Sequence, residues 1–154
     1  MKNFVKFMDR YGMWLFAIWM LFVFILLVNN IKSQTSNEVR LELDKYEIAE
    51  EHKNIIVAQS ILETGWYKSL WCKNFENIFG LTKRIDKKQV PQVFTDWKHS
   101  VKSYYYQIYL KYTKLKIDKT YYAFLVDLPY AMDPGYIDKL KKIEKSLKNH
   151  GKIN

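Results

Sequence analysis

The chain has 154 residues and a net charge of +9, with 49% hydrophobic and 17% aromatic residues, one cysteine, three histidines, five glycines and three prolines. The apolar content excludes a disordered tail, and so little Gly and Pro excludes a collagen-like or linker-dominated chain. Cys72 alone supports neither a disulfide framework nor a zinc site on paired thiolates, and His52, His99 and His150 fall at no metal-ligating spacing, so no metal and no cofactor is expected.

Every residue from Met13 to Val28 is apolar, and Tyr11 and Gly12 extend the uncharged run to 18 residues. A helix of that length spans roughly 27 Å, close to the hydrocarbon core of a bilayer. The run exceeds the usual apolar core of a signal peptide, and Val28 to Lys32 offers no small-x-small cleavage site, which favours an uncleaved signal anchor. Lys2, Lys6 and Arg10 precede it with Asp9 as the only acid, and the positive-inside rule then puts the N-terminus in the cytoplasm. The expected organisation is a cytoplasmic segment 1–10, a transmembrane anchor 11–29, a stalk 30–36 and an extracytoplasmic domain 37–154.

Helix formers without Gly or Pro run from Asn37 to Leu62, with Ile48, Ile55, Ile56, Ala58, Ile61 and Leu62 near helical period, and Gly65 as a stop. Apolar β-prone pieces at Ile78–Thr82 and Val90–Thr95, separated by a charged segment, predict a small hairpin. Ser100 is a candidate cap for a helix running to about Tyr112, and Asp118 for one over Lys119–Leu128, stopped by Pro129. Asp133-Pro134 then reads as a helix start, followed by Ile137, Leu140, Ile143 and Leu147 on one face. The soluble part is thus expected to be one mainly α domain with a small β excursion.

Glu63 falls in the last turn of the first of these helices, where the macrodipole disfavours a carboxylate by about 0.3–1 kcal/mol. For a random Glu this is an exposed residue tolerating a small cost. Held against aromatic surface, the same carboxyl would have the raised pKa that a general acid requires. Three stretches arrive in order: AQSILETGW (58–66), NIFG (77–80) and YAMDPGYIDKL (130–140). In these the chain resembles the bacterial glucosaminidases of glycoside hydrolase family 73, which carry A-Q-x-x-x-E-S/T-G-W, N-x-F-G and Y-A-x-D-P-x-Y-x-x-K-L. The resemblance covers about Glu50 to Leu147. It implies a lysozyme-like α+β fold with a cleft beside a small β-hairpin lobe. It also implies hydrolysis of the β-1,4 bond between N-acetylglucosamine and N-acetylmuramic acid in peptidoglycan.

By that resemblance Glu63 is the acid that protonates the leaving glycosidic oxygen, and Tyr130 is the tyrosine beside the reacting sugar. Asn77, Phe79 and Gly80 would shape the cleft floor. Tyr136 is balanced between core packing and the site, and Trp66 is a candidate sugar platform, with Trp66 and Trp97 expected to flank the cleft. The chain departs from the family where many members carry a second Glu on a longer hairpin. Only Asp86 and Asp96 are nearby acids here, and both are more simply read as a solvated turn residue and a helix cap. Three outcomes stay open: a hydrolase assisted by the substrate's own acetamido oxygen, a lytic transglycosylase with Glu63 as acid and base, or a non-catalytic wall-binding assembly protein. Expected partners are peptidoglycan glycan strands, the cytoplasmic membrane and envelope machinery. Residues 98–154 carry 12 cations against five anions, which suits an anionic polymer, but no motif supports nucleic-acid binding. The lysines of the last helix are read as its solvated face.

Overall fold

A computed structural model describes residue 20 and residues 36–115, 119–128 and 133–150. The chain divides into two units, Met1–Thr35 and Ser36–Asn154. The expected membrane span at 11–29 lies, apart from Met20, outside the described residues, among which no helix is long and apolar enough to cross a membrane. The second unit is mainly helical with one two-stranded antiparallel sheet, fitting a lysozyme-like α+β architecture.

The single helix expected over Asn37–Leu62 is two: α1 at 36–43 and α2 at Glu50–Thr64. No Gly or Pro marks the break. It is set by tertiary structure, because the Ala49 N–H at the head of α2 donates to the Tyr109 hydroxyl at 2.9 Å. That partner lies far along the chain, so no local signal announces the break. Ile55 to Ile61 are all buried, which makes α2 the enclosed central helix, and α7 (Tyr136–His150) packs along it. Helices that are covered on every side lose the amphipathic stripe of a surface helix. By contrast α7 buries Tyr136 and Leu140 and exposes Lys139, Lys141, Lys142, Lys145 and Lys148.

After α2 come α3 (Leu70–Phe75), capped by Ser69, and a hairpin of β1 (Thr82–Ile85) and β2 (Lys88–Pro91). The expected hairpin forms, but its strands are shifted into the charged segment and overlap the expected pieces only at Thr82 and at Val90 and Pro91. The apolar piece before it, Ile78 to Leu81, is buried as an irregular turn. Asp86 and Lys87 form the two-residue connection at φ 48° and 67°, the all-positive geometry that matches strand twist in tight hairpins.

Asp96, not Ser100, caps α4 (Trp97–Tyr104), accepting from the Lys98 N–H at 2.9 Å. Ser100 is buried one turn in, where its hydroxyl donates to the Trp97 carbonyl and accepts from the Ile78 N–H. The helical rod continues through a π-helical turn, Tyr105–Tyr109, into α5 (Leu110–Lys114). Thr120 caps α6 (Tyr121–Asp127), while the expected cap Asp118 lies outside the described residues. At α7 the Asp133 carboxylate accepts from the Gly135 N–H at 2.9 Å, so Asp133 organises the start, although the helix proper begins after the expected Pro134.

Candidate active site

Glu63 projects from the last turn of α2, and the chain leaves that helix abruptly. Gly65, Trp66 and Tyr67 take φ of 54°, 61° and 60°, three consecutive residues in left-handed geometry. Two of them carry side chains, and each such residue costs about 1–2 kcal/mol. Thr64 offsets the strain: its hydroxyl donates to the Ser60 carbonyl at 2.5 Å and accepts from the Tyr67 N–H at 2.8 Å, while its carbonyl takes the Lys68 and Ser69 N–H groups. Tyr67 is held in turn by a 2.9 Å hydrogen bond between its hydroxyl and that of Ser60.

The Glu63 carboxyl lies between α7 and the turn before the hairpin. Its Oε1 accepts from the Tyr136 hydroxyl at 2.9 Å. Its Oε2 faces Gly80 so closely that a Cβ there would stand 3.2 Å away. Burial pushes the Glu63 pKa above the ordinary carboxylate range, and the Tyr136 hydrogen bond only partly opposes this. The C-terminal end of α2 acts in the same direction as burial, because partial negative charge collects there. Glu63 is thus a carboxyl biased toward its protonated form.

Glu63 opens onto a cleft of about 300 Å³, lined also by Gly80, Leu81, Thr82, Gln89, Gln107, Ile108 and Lys111. Gln107 and Ile108 come from the π-helical turn, a device frequent at functional sites because it inserts a residue and re-aims its neighbours. A reciprocal amide pair, Gln92 with Gln107 at 3.0 and 3.2 Å, ties the hairpin exit to that turn. Nothing in the sequence marks Thr82, Gln89, Gln107 or Lys111 as residues of the site. Polar residues on a short strand or on a helix flank carry no local signature that separates cleft from solvent.

Asn77 and Phe79 are both fully buried and shape the cleft from behind. The Asn77 amide donates to the Leu81 and Gln92 carbonyls and accepts from the Leu81 N–H, bracing the turn that carries Gly80. Phe79 stacks on Tyr104 with ring centroids 4.2 Å apart. Gly80 itself adopts φ +62° and gives Glu63 its room. Tyr136 is 6% exposed and combines the two roles weighed for it, packing in the core while its hydroxyl reaches Glu63. Trp66 is half exposed on the left-handed turn and does not line the cleft beside Glu63. Trp97, expected at its flank, lines a separate groove with Glu38, Leu41, Glu42, Lys45 and Lys98. Tyr130 lies outside the described residues.

Asp86 is exposed at the hairpin tip and Asp96 caps α4; neither lines the cleft, where Glu63 is the one acid among the described residues. No cluster of His, Cys, Asp and Glu fit for a metal occurs among the described residues. Cys72 is half-buried and burial raises its pKa, which disfavours the reactive thiolate.

This acid, the glycine before it and the tyrosine behind it come from the three stretches that set the chain apart as a sequence. No curated protein and no solved structure matches the chain. Residues 37–149 match the glucosaminidase family, described as mannosyl-glycoprotein endo-beta-N-acetylglucosaminidase. The match spans the greater part of the chain, and the chain belongs to the glucosaminidase family.

Proposed function

We propose that the protein is a membrane-anchored peptidoglycan hydrolase that cleaves the β-1,4 bond between N-acetylglucosamine and N-acetylmuramic acid, with Glu63 as general acid. Family membership supports glycosidase action on the wall polymer. The observation that carries the role of Glu63 is its position: a carboxyl with raised pKa opening onto a cleft beside the hairpin. A group of that kind holds its proton to higher pH than an ordinary carboxyl and can deliver it to a leaving glycosidic oxygen. Tyr130 is assigned to the reacting sugar on its place in the 130–140 motif, and anchoring through 11–29 on the apolar run alone.

A second reading is favoured by Glu63 being the one acid of the cleft among the described residues. Direct displacement and water activation both use a second carboxylate, at about 5–5.5 Å or 6.5–9.5 Å from the first. Without one, the nucleophile is the substrate itself. Either the acetamido oxygen assists, or the C6 hydroxyl of the muramyl sugar attacks and gives a 1,6-anhydro product, with Glu63 as acid and then base. Digestion of purified peptidoglycan with wild type and Glu63→Gln, followed by mass spectrometry, tests all of this. Reducing glucosamine ends identify the hydrolase and anhydromuramic ends the transglycosylase. Binding without new ends identifies a wall-binding protein, and full lysis by Glu63→Gln removes Glu63 as the acid.

A further inference from the structure

Behind Glu63 lies a chain of hydrogen bonds that the cleavage chemistry does not itself require. The Tyr104 and Tyr121 hydroxyls are 2.6 Å apart. Tyr104 donates to the Gln59 side-chain oxygen, the Gln59 amide donates to the Tyr136 hydroxyl at 3.3 Å, and Tyr136 donates to Glu63 Oε1 at 2.9 Å. Gln59, Tyr104 and Tyr121 are at most 2% exposed and Tyr136 is 6% exposed, so water does not compete along the chain. We propose that this relay, Tyr121–Tyr104–Gln59–Tyr136, positions Glu63 by locking Oε1 as an acceptor, so that the transferable proton resides on Oε2, the oxygen facing Gly80.

With the Gln59 oxygen toward Tyr104 and its nitrogen toward Tyr136, donor bookkeeping gives the direction. An amide oxygen only accepts, so the single proton of Tyr104 is spent on Gln59, and Tyr121 must donate to Tyr104. The Gln59 amide then donates to Tyr136, leaving the one proton of Tyr136 for Glu63. Reversing any link would set two donors or two acceptors face to face inside the core, where an unsatisfied polar group is costly. With Oε1 filled by a donor, a proton on Oε1 would confront the Tyr136 proton. It therefore sits on Oε2.

The relay rests on Glu63 being the acid of the proposed reaction. In that step the Oε2–H bond breaks and the proton passes to the glycosidic oxygen. The C1–O bond cleaves with its electron pair going to that oxygen, while the substrate's acetamido oxygen or C6 oxygen bonds to C1, the C6 hydroxyl giving its proton to the Glu63 carboxylate. While Glu63 is a carboxylate, its charge is met at Oε1 by the Tyr136 O–H. Tyr136 from α7 contacts Glu63, and the cleft onto which Glu63 opens is lined also by Thr82 and Gln89 from the hairpin and by Lys111 from α5, the one cation among the described lining residues. Burial favours the protonated acid and the relay favours the carboxylate, so removing the relay alone displaces the titration upward.

The test uses the full-length chain in detergent and compares Tyr136→Phe, Gln59→Met, Tyr109→Phe and Glu63→Gln. Tyr109→Phe also deletes a core hydroxyl, but one bound to the Ala49 N–H and His52, outside the relay. Tyr136→Phe is expected to lower kcat by about tenfold or more with KM little changed, as for a misplaced catalytic group. The alkaline limb of its pH profile moves to higher pH, and so does the Glu63 carboxyl titration followed by carbon NMR. Gln59→Met shifts both in the same direction and decides the matter if Tyr136→Phe does not fold. Tyr109→Phe lowers the melting temperature with an unchanged pH profile. A folded Tyr136→Phe or Gln59→Met protein with the wild-type profile and kcat overturns the relay while inactive Glu63→Gln leaves the acid in place. Active Glu63→Gln overturns the acid assignment instead.

Discussion

Gly80 and Gly65 allow backbone strain to be separated from the placement of the acid. Both sit at positive φ, +62° and +54°, so alanine at either position pays a left-handed penalty of about 1–2 kcal/mol. For a domain of this size that corresponds to a melting-temperature loss of about 4–8 °C. The two sites differ in what the new methyl meets. At Gly65 nothing lies within 4 Å, whereas at Gly80 the Cβ stands 3.2 Å from Glu63 Oε2. The carboxyl must give way by a few tenths of an ångström, and Oε1 is tethered to Tyr136, so the displacement falls on Oε2. Gly65→Ala and Gly80→Ala should therefore lose similar stability, while Gly80→Ala alone loses about tenfold or more in kcat. Thermal melts and turbidity clearance on purified peptidoglycan measure the two quantities. If Gly80→Ala matched Gly65→Ala in specific lysis, the contact would not govern the acid and the geometric reasoning would be wrong.

Other substitutions probe the same architecture. Glu63→Gln should raise the melting temperature at neutral pH: the folded pKa lies above the unfolded value of 4.5, so stability is full below about 4.5 and is lost as the acid ionises through its raised folded value. The gap between variant and wild type should close in acid; a constant gap would mean that ionisation is not its source. His52, packed among the rings of Tyr109, Tyr112 and Tyr121, has its pKa lowered by burial, so its contribution is full above about 6.5 and is lost as pH falls toward the folded value. Melts between pH 7 and 5 should show that loss, and His52→Gln should flatten it. Asp96→Ala should cost about 1 kcal/mol as a lost helix cap, and Asp86→Asn almost nothing, with lysis kept in both; a loss of lysis at either would identify a second catalytic carboxylate.

What the sequence made legible follows the range of the interactions involved. The left-handed stop at Gly65 and the Asp133 turn depend on a few neighbouring residues, and both were readable from residue type. The break between α1 and α2 was not, because it depends on the Tyr109 hydroxyl arriving from the π-helical turn. Asp96 was weighed as a cap, but Ser100 stood in a more conventional position and is instead consumed by the Ile78 N–H. At the site, motif order singled out Glu63, Gly80 and Tyr136, which the fold brings together. Core packing was the plain alternative for Phe79, but nothing hinted that Asn77 acts from inside the core, nor at the polar wall formed by Gln89, Gln107 and Lys111. Gln59 stands inside the first motif as an ordinary helix former, and only its buried hydrogen bonds to Tyr104 and Tyr136 reveal its polar task.

The shortness of the hairpin ties these observations to the chemistry. Thr82 pairs with Pro91 and Arg84 with Gln89, and directly opposed residues share a face of the sheet. Thr82 and Gln89 both line the cleft, so this is the cleft-side face, and it holds no acid. The single acid of the hairpin, Asp86, is consumed by a two-residue turn and carried to the tip. A longer hairpin would have room for a carboxylate over Glu63; this one presents an amide and a hydroxyl. Amides and hydroxyls orient a sugar by hydrogen bonds but do not deprotonate water. On the second reading proposed above, the reacting centre draws its nucleophile from the substrate, where acetamido oxygen and C6 hydroxyl are already attached to the reacting sugar. Intramolecular attack of that kind reaches effective molarities of about 10⁵ M or more when well oriented. One acid is enough for such a reaction if it releases its proton toward the leaving oxygen and recovers one afterward. A carboxyl fixed at one oxygen by Tyr136 and open at the other meets both requirements.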